Sequence, residues 1–489
     1  MNYTRKVAFN TAAQMLGKVL GTAISIATVA ALFRYFGVEG MGKYTTVFAF
    51  VAFFSVFADF GLQWTLIREL AINPDHDKVF KNIFTFRLFL AIFIHSISFA
   101  AVWFFNYPLE VKLGVGVINL AWFFITMNTT LVGVFLNNYR MDISVANEIL
   151  GRVFILILVI VTTKLKLPFV YVISAYLIGD VINFVSNFIF ARRYVRPGFR
   201  VEFPYWRRVV GQALPIGIAL VFHFIYFKID SLMLSVMKPM VDVGIYGTAY
   251  KLLEVLETVP AMFLGAAFPL VTRYAITKDR RLNEAFQKQF DFLVLLAVPI
   301  VTGTFVLAEP IIRFIGGSRG GEFVSASTVS LFSHPITSVT CLKVLIFAVG
   351  ISFISQLYSY MIVSLGRQRA MIIPTISFAL FNIVLNLILI PKISYIGTSI
   401  ATIITEVIVA IVVYMIFKKF IHLPIKLARS FRVLLAGVLM GLVVWWLNSL
   451  SLNLFVNLTI AVLLYVGLVF ALRAVTKEMV TEIIRRKEV

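Results

Sequence analysis

Charged side chains interrupt a long and otherwise largely apolar part of the chain. Lys228 and Asp230 stand inside such a run, residues 214–237. Residues two apart on a helix point about 200° away from each other, so this lysine and aspartate cannot satisfy one another. If the run crosses a bilayer, each unpaired ion near its centre costs about 3 kcal/mol on insertion scales. Charges at this depth therefore predict a polar cavity that binds a charged ligand.

The partners of this pair are expected on the next apolar stretch. A tight turn near residue 240 brings the two stretches alongside each other, so residues equidistant from it lie at similar depth. Asp230 is then level with Lys251, and Lys228 is level with Glu254. Lys251 and Glu254 are three apart and share a helix face, whereas Lys228 and Asp230 diverge. Only one cross-helix pair is expected to form fully, which leaves the other charge to meet water or a ligand.

The composition indicates the elements that carry these charges. Of 489 residues, 60% are hydrophobic and 14% charged, and the mean hydropathy is +0.95. Because a membrane-spanning helix needs about 20 apolar residues, the chain is predicted to be an all-α polytopic membrane protein with fourteen transmembrane helices. The predicted spans are 11–36, 43–66, 82–105, 111–135, 146–166, 168–191, 209–237, 243–271, 289–308, 342–365, 370–391, 395–417, 430–448 and 453–472.

The basic residues predict the orientation of these spans. With the N-terminus inside, thirty of the 44 Lys and Arg lie on inner segments and ten at the outer connections and helix ends. This asymmetry predicts that both termini are cytoplasmic. It also explains the net charge of +21 without nucleic acid, because the basic runs at 192–200 and 418–432 become short inner loops facing anionic lipid headgroups.

Two other kinds of chemistry are not supported. Residues 37–45, GVEGMGKYT, approach a phosphate-binding loop but place Tyr44 where magnesium binding needs Ser or Thr, and no strand precedes them. One cysteine, Cys341, allows no intramolecular disulfide, and the five histidines lack metal-binding spacing. We therefore expect no ATPase module, no metal and no cofactor.

A short motif occurs twice and predicts two related lobes. Gly42 and Tyr44 follow the first span, and Gly244 and Tyr246 follow the seventh, each time at the outer start of the next helix. Repeats of six helices are typical of transporters that rock about a central site. We predict an N-lobe over 1–200 (helices 1–6), a C-lobe over 201–420 (helices 7–12), and helices 13 and 14 with a cytoplasmic tail over 421–489.

Polar residues on single helix faces are candidates for the cavity lining. Amide and hydroxyl side chains also join helices to each other, so for them the two interpretations remain open. Charged members are costlier in a packed interface and favour a hydrated face. The candidates are Asn10, Gln14, Lys18 and Ser25 on the first span, Asn382 and Asn386 on the eleventh, and Glu406 on the twelfth.

Several blocks resemble one family of transporters. VGIYGTAYKLLE (243–254) and FPLVTR (268–273), after Asp230, look like the seventh and eighth helices of polysaccharide transporters, the O-antigen flippase-like members of the multidrug/oligosaccharidyl-lipid/polysaccharide superfamily. Further similar blocks are RYFGVEGMGKY (34–44), ADFGLQ (58–63), IREL (67–70), NIVLNLILIP (382–391) and IATIITE (400–406). The outer segment 316–340 is longer than the family pattern leads us to expect.

The resemblance implies a flippase of the plasma (inner) membrane that moves a polyprenyl-pyrophosphate-linked glycan from the inner to the outer leaflet. It implies no enzyme activity, a monomer among membrane lipids, and glycan polymerase or glycosyltransferase partners. The energy would come from a proton or sodium gradient or from downstream consumption of the glycan. Helices 13 and 14 would line a groove for the lipid tail. The cations available to the pyrophosphate are Lys18, Arg34, Arg87, Lys228 and Lys251, and the carboxylates that would balance them or couple to ions are Asp230, Glu254, Glu257 and Glu406.

Other functions remain open at this point. A lipid II flippase would differ only in its substrate. A multidrug and toxin extrusion-type exporter of organic cations shares the fold, but lysines on the inward faces argue against a cation cavity. A membrane glycan polymerase or glycosyltransferase would need catalytic groups in a large outer loop, where only Glu322 and, at the membrane edge, Glu309 are available. For Lys18 and Arg87, near inner helix ends, extension to the membrane surface is equally compatible with the sequence.

Overall fold

The computed structural model describes residues 3–277, 279–331, 333–450 and 452–475, and these are almost entirely α-helical. The predicted all-α fold is confirmed. The helices are α1 (Tyr3–Asp59), α2 (Leu62–Ile72), α3 (His76–Ala101), α4 (Leu109–Asn137), α5 (Met141–Lys164), α6 (Phe169–Ala191), α7 (Phe203–Met237), α8 (Met240–Ile276), α9 (Arg281–Val306), α10 (Ala308–Gly316), α11 (Gly320–Ser325), α12 (Ser338–Ser364), α13 (Ile372–Phe420), α14 (Ala428–Ser449) and α15 (Leu454–Ala471).

The long helices match the predicted spans, except that the second predicted span, 43–66, is interrupted by a turn at Phe60 and Gly61, where α1 ends and α2 follows. Over the described residues, twelve helical stretches are long and apolar enough to cross a membrane. Two of these contain breaks: α1 at Gly37, where φ is 67°, and α13 at Ile393 and Ser394. A continuous helix of 57 residues would measure about 85 Å, nearly three times the hydrocarbon core. The breaks divide α1 and α13 into two spans each, in the gaps left between the predicted helices.

The chain forms two compact units, residues 1–247 and 248–489. In the first, α1 packs against α3, α4, α5 and α7, and α6 packs against α4 and α5. In the second, α9 packs against α12, α14 and α15, and α12 packs against α13. The boundary after residue 247 is defined by contacts between residues and does not coincide with the predicted lobe boundary after residue 200. The predicted lobes at 1–200 and 201–420 therefore stay a prediction. Residues 476–489 of the predicted cytoplasmic tail lie outside the described residues.

The two copies of the repeated glycine motif touch each other within the first unit. A Cβ added to Gly42 would lie 1.8 Å from the carbonyl oxygen of Met240, and one added to Gly244 would lie 1.9 Å from that of Val38. The second half of α1 and the start of α8 therefore approach to backbone contact at this point. Only glycine at both positions allows this distance, which is the usual role of small residues where membrane helices cross.

The long segment between α9 and α12, which the sequence predicts to lie outside, is ordered by short elements. It contains α10, α11 and an antiparallel hairpin that pairs residues 330–331 with 334–335. The hydroxyl of Tyr395, at the break in α13, donates to the carbonyl of Ile336 at 2.6 Å. The backbone N–H of Thr328 in turn donates to that hydroxyl at 3.3 Å. Tyr395 is completely buried, so it anchors both ends of the hairpin region. Helix α12 begins four residues before the predicted 342.

Candidate functional site

Arg87 lies in a closed polar pocket of the first unit. Its side chain has no exposed surface, and one guanidinium nitrogen lies 2.5 Å from the Asp59 carboxylate. The other terminal nitrogen donates to the hydroxyls of Thr129 and Thr130 on α4. Of the two alternatives left open by the sequence, Arg87 does not extend to the membrane surface in this conformation, because Asp59 at the end of α1 lies within reach and holds it inside. Contact with a substrate stays a prediction that requires this pocket to open.

The polar face of the first span packs largely against α5. The Asn10 side-chain oxygen accepts from the backbone N–H of Met141 at 2.7 Å. Ser25 accepts from Arg152 at 2.6 Å, and the same guanidinium donates to the Gly21 carbonyl at 2.9 Å. Arg152 also forms an ion pair with Glu148 on its own helix. Asn10 and Ser25 thus have helix–helix contacts here, whereas Gln14 is partly exposed and reaches back to the Asn10 carbonyl.

Arg152 is a further candidate site residue, which was not predicted from the sequence. It had been counted among the inner-loop charges, although it lies eleven residues into α5, inside the predicted span 146–166. Its charge within a predicted span is the feature of the sequence that could have identified it. Arg152 and Glu148 also lie within electrostatic reach of Asp180 on α6. The first unit therefore holds a charged cluster on α5 and α6, which contacts α1 through Ser25 and the Gly21 carbonyl.

Four asparagines connect α4, α5 and α6. The Asn187 amide nitrogen donates to Asn128 at 2.9 Å and to Asn183 at 3.0 Å, and its oxygen accepts from Asn147 at 2.8 Å. Amide hydrogen bonds of this kind contribute to helix association in the membrane, where no water competes for the groups. We assign this cluster to packing of the first unit.

On α7, Asp230 is buried and Lys228 is half-buried. The hydroxyl of Tyr246, the tyrosine of the second glycine motif, donates to an Asp230 oxygen at 3.3 Å. The Lys228 ammonium lies 5.6 Å from the ring centre of Phe227. These contacts place the two charges at different surfaces of α7, as their spacing predicts.

In the second unit, the Lys251 ammonium lies 2.9 Å from a Glu254 oxygen. These residues are one helical turn apart on α8, and Glu257 follows after a further turn, half-buried like them. On α13, Glu406 is buried. Lys251 thus has a carboxylate partner on its own helix, and the predicted pairing of Lys251 with Asp230 stays a prediction.

The break in α13 brings together the polar residues of its two halves. Asn382 and Asn386 are fully buried, and Asn386 donates to the Asn382 side-chain oxygen at 3.1 Å. Asn382 donates to Thr405 at 3.3 Å. Thr398 is also buried, and its hydroxyl has no partner among the described residues. This oxygen-rich cluster lies within the second unit, and its role as cavity lining stays a prediction.

The remaining predicted cations are exposed. Lys18 lies on an outward-facing surface of α1, and no described carboxylate is within ion-pair distance of it. Arg34 is exposed near the break at Gly37. Neither position contradicts a role in substrate binding, and neither demonstrates one.

An apolar groove of about 380 Å³ lies among α9, α14 and α15. Pro299 in α9 has no N–H, so the carbonyl four residues earlier, that of Leu295, loses its helical donor. The Tyr465 hydroxyl on α15 supplies the missing hydrogen bond at 2.8 Å. The groove is otherwise walled by aliphatic side chains such as Met440 and Val462. Such a surface suits a hydrocarbon chain.

The segment before α7 is held to α3, and the start of α7 is held to α2, by polar and charged residues. Glu69 is buried, and one of its oxygens accepts from Asn73, Tyr205 and Arg208 at 2.8 to 3.1 Å. Desolvation acts to raise the pKa of Glu202, but hydrogen bonds from Lys78 and Arg200 outweigh it and the pKa is lowered. The loop is therefore a defined part of the first unit rather than a loose linker.

Comparison with known proteins agrees with the sequence blocks described above. A family model described as polysaccharide biosynthesis protein matches residues 6–275, more than half of the chain. The chain belongs to this family. A second model, MatE, matches residues 215–388. The protein is thus a multi-pass membrane transporter of the multidrug/oligosaccharidyl-lipid/polysaccharide (MOP) superfamily, and the resemblance found in its sequence is confirmed.

Individual relatives are more distant. A putative O-antigen transporter of Shigella flexneri is 38% identical over 85 residues, which is 17% of this chain and only a fifth of that relative's length. The structure of the lipid II flippase MurJ in an inward closed conformation has a TM-score of 0.76 at 15% identity, and covers 94% of this chain and 98% of its own. An inward-facing MATE family transporter of the MOP superfamily has a TM-score of 0.64 at 13% identity, over 82% and 95%. At these identities the structural similarities show the fold alone.

Proposed function

We propose that this family member is a flippase for a polyprenyl-diphosphate-linked oligosaccharide, moving it from the inner to the outer leaflet of the plasma membrane. The observation that carries the proposal is the presence of two complementary surfaces on one membrane transporter. Lys228 and Lys251 are cations within spanning helices, and α9, α14 and α15 form a largely apolar groove. A lipid-linked glycan needs both, because it has a diphosphate and a long hydrocarbon tail.

The cations suit a diphosphate better than an organic cation. A lysine ammonium on a flexible stem is a compact charge that can move between a carboxylate and a phosphate oxygen. Lys251 is held by Glu254 at 2.9 Å, and a diphosphate carries more negative charge than that one carboxylate. Substrate entry would then compete for Lys251 and free Glu254 to take up a proton or a sodium ion. Such exchange would couple substrate binding to an ion gradient, because the ion and the substrate would bind with different affinities to the inward and outward states.

Export measurements with variants of Lys228 test the cationic site. Lys228→Ala should abolish glycan export from cells while the protein remains inserted, and Lys228→Arg should retain part of the activity because the charge is kept. Lys164→Ala, which removes an exposed lysine at the end of α5, is the matched control and should export normally. Normal export by Lys228→Ala would show that the cationic site lies elsewhere, with Lys18 and Arg34 the next to examine.

Substrate identity requires a reconstituted assay. The purified protein in proteoliposomes would be given fluorescent polyprenyl-diphosphate oligosaccharide or lipid II in parallel, and accessibility of each glycan at the two leaflets would be followed. Preferential movement of the oligosaccharide supports the proposal. Equal or preferential movement of lipid II would favour a lipid II flippase, and export of organic cations with neither lipid moved would favour a drug exporter. Coupling and any polymerase partner are part of the proposal and require their own measurements.

A further inference from the structure

A second cavity lies in the second unit, away from the groove and from the charges on α7 and α8. Its volume is about 470 Å³, and its lining residues lie near the end of α8 and around the start of α9, in the segment joining α12 to α13, and just after α13. The basic-residue asymmetry places these connections on the cytoplasmic side. The cavity therefore opens where helices leave the inner leaflet, at the level of the lipid headgroups.

The one acidic residue that lines this cavity is already neutralised by a neighbour. Both Asp279 oxygens accept from Arg281, one from the backbone N–H at 2.9 Å and the other from the guanidinium at 2.6 Å. The hydrogen bonds from Arg281 hold the pKa of Asp279 below its usual range, so it is ionised and engaged at neutral pH. Asp279 is thus not available to a second cation.

Two other arginines of the cavity lack such a partner. Arg280 and Arg367 line it from opposite connections, and no carboxylate of the described residues lies within ion-pair distance of either. The Arg367 guanidinium lies over the Phe420 ring, 5.3 Å from its centre, which orients the group without neutralising it. Asn283 adds an amide to the lining. The cavity therefore has two positive groups with unused hydrogen-bond donors.

The other walls are apolar. Leu282, Leu365 and Leu423 line the cavity beside the arginines, and the nearby Ile276 at the end of α8 is 73% exposed. A free phosphate ion would contact only the arginines and leave these leucines in water. An amphiphile with an anionic head would use both kinds of surface, since guanidinium groups bind phosphate oxygens in pairs and the leucines can cover glycerol and the first methylenes.

We propose that this cavity is a binding site for the headgroup of an anionic phospholipid of the inner leaflet. Arg280 and Arg367 bind its phosphate, Asn283 donates to a headgroup or ester oxygen, and the leucines cover the start of the acyl chains. Because the lipid contacts two helix connections and the end of α13 together, it ties the inner ends of four helices to one another. The site is separate from the proposed substrate site, and its test does not depend on transport.

The experiment compares lipids and variants on the purified full-length protein. Phosphatidylglycerol would be titrated into protein held in phosphatidylcholine nanodiscs or detergent, with lipid retention measured by native mass spectrometry and thermal unfolding recorded in parallel. We expect saturable binding of phosphatidylglycerol with a rise in melting temperature. The double variant Arg280→Ala/Arg367→Ala should weaken this binding by at least about tenfold, given the contribution of each basic residue near an anionic surface.

A matched control removes two other arginines at an inner helix end. Arg192 and Arg193 follow α6, are exposed, and lie over Phe188 and Phe190 much as Arg367 lies over Phe420. Arg192→Ala/Arg193→Ala should bind phosphatidylglycerol like the parent. An equal loss in both double variants would show that binding follows total charge, which would overturn the proposal.

Two further arms keep the result interpretable. Arg280→Lys/Arg367→Lys keeps the charge but removes the paired donors, so it should bind with intermediate affinity, and it replaces the alanine variant if that one does not fold. Inorganic phosphate at millimolar concentration should neither displace the lipid nor raise the melting temperature comparably. Displacement by phosphate would show that the site accepts a soluble anion and would also overturn the lipid assignment.

Discussion

Replacing Gly42 by alanine should disrupt the contact between the two glycine motifs. The added Cβ would lie 1.8 Å from the Met240 carbonyl oxygen, whereas atoms in ordinary contact are about 3.5 Å apart. The obstructing atom belongs to the backbone and cannot rotate away, so α1 and α8 would have to separate by about 1.7 Å at this point. Overpacking of this kind costs about 1–3 kcal/mol, and alanine's better helix propensity returns about 0.5–1 kcal/mol. We expect a net loss of about 1 kcal/mol in the stability of this conformation, which is the difference between the midpoints of the two ranges.

Thermal unfolding of the purified protein in one detergent measures this loss. Gly467→Ala on α15 is the matched control, since it has the same gain in helix propensity and its added Cβ meets nothing within 4 Å. The Gly42 variant should melt below the parent, and the control should melt at or above it. Gly244→Ala disturbs the same contact from the other side, so the Gly42/Gly244 double variant should lose less stability than the sum. A Gly42→Ala protein as stable as the control would refute the reasoning.

Three further perturbations have defined outcomes. Tyr465→Phe leaves the Leu295 carbonyl without a donor and should cost about 1–3 kcal/mol in thermal unfolding; an unchanged melting temperature would mean that another group satisfies the carbonyl. Asp59→Asn should lower the free energy of unfolding by about 1–3 kcal/mol, less than for a fully buried pair because the Asp59 side chain is 29% exposed. The double variant Asp59→Asn/Arg87→Met should lose less stability than the sum of the two single variants. A cysteine in place of Arg200 should react with a membrane-impermeant maleimide only after cells are opened, and labelling from outside would contradict the predicted orientation.

The membrane-spanning elements could be predicted from the sequence because their determinants are local. In a bilayer, each backbone N–H and C=O must be satisfied within its own helix, so about 20 consecutive apolar residues suffice to specify a span. Even the breaks at Gly37 and at Ser394 fall in the predicted gaps, where glycine or a short polar stretch interrupts the apolar pattern. The glycine motifs were likewise visible as a repeat, although nothing in the sequence showed that they meet.

The partners of the polar side chains were decided by tertiary structure. Arg87 was predicted to face a cavity or the membrane surface, and it is instead enclosed with Asp59; Arg152 was counted with the loops, and it reaches Ser25 on α1. The hydrogen bond of Tyr465 could not be predicted from the sequence, since it depends on a proline 166 positions earlier in the chain. Apolarity alone places a residue in the bilayer. Which polar groups meet depends on the rotation and register of helices distant in sequence, and these are set by the packing of the complete fold.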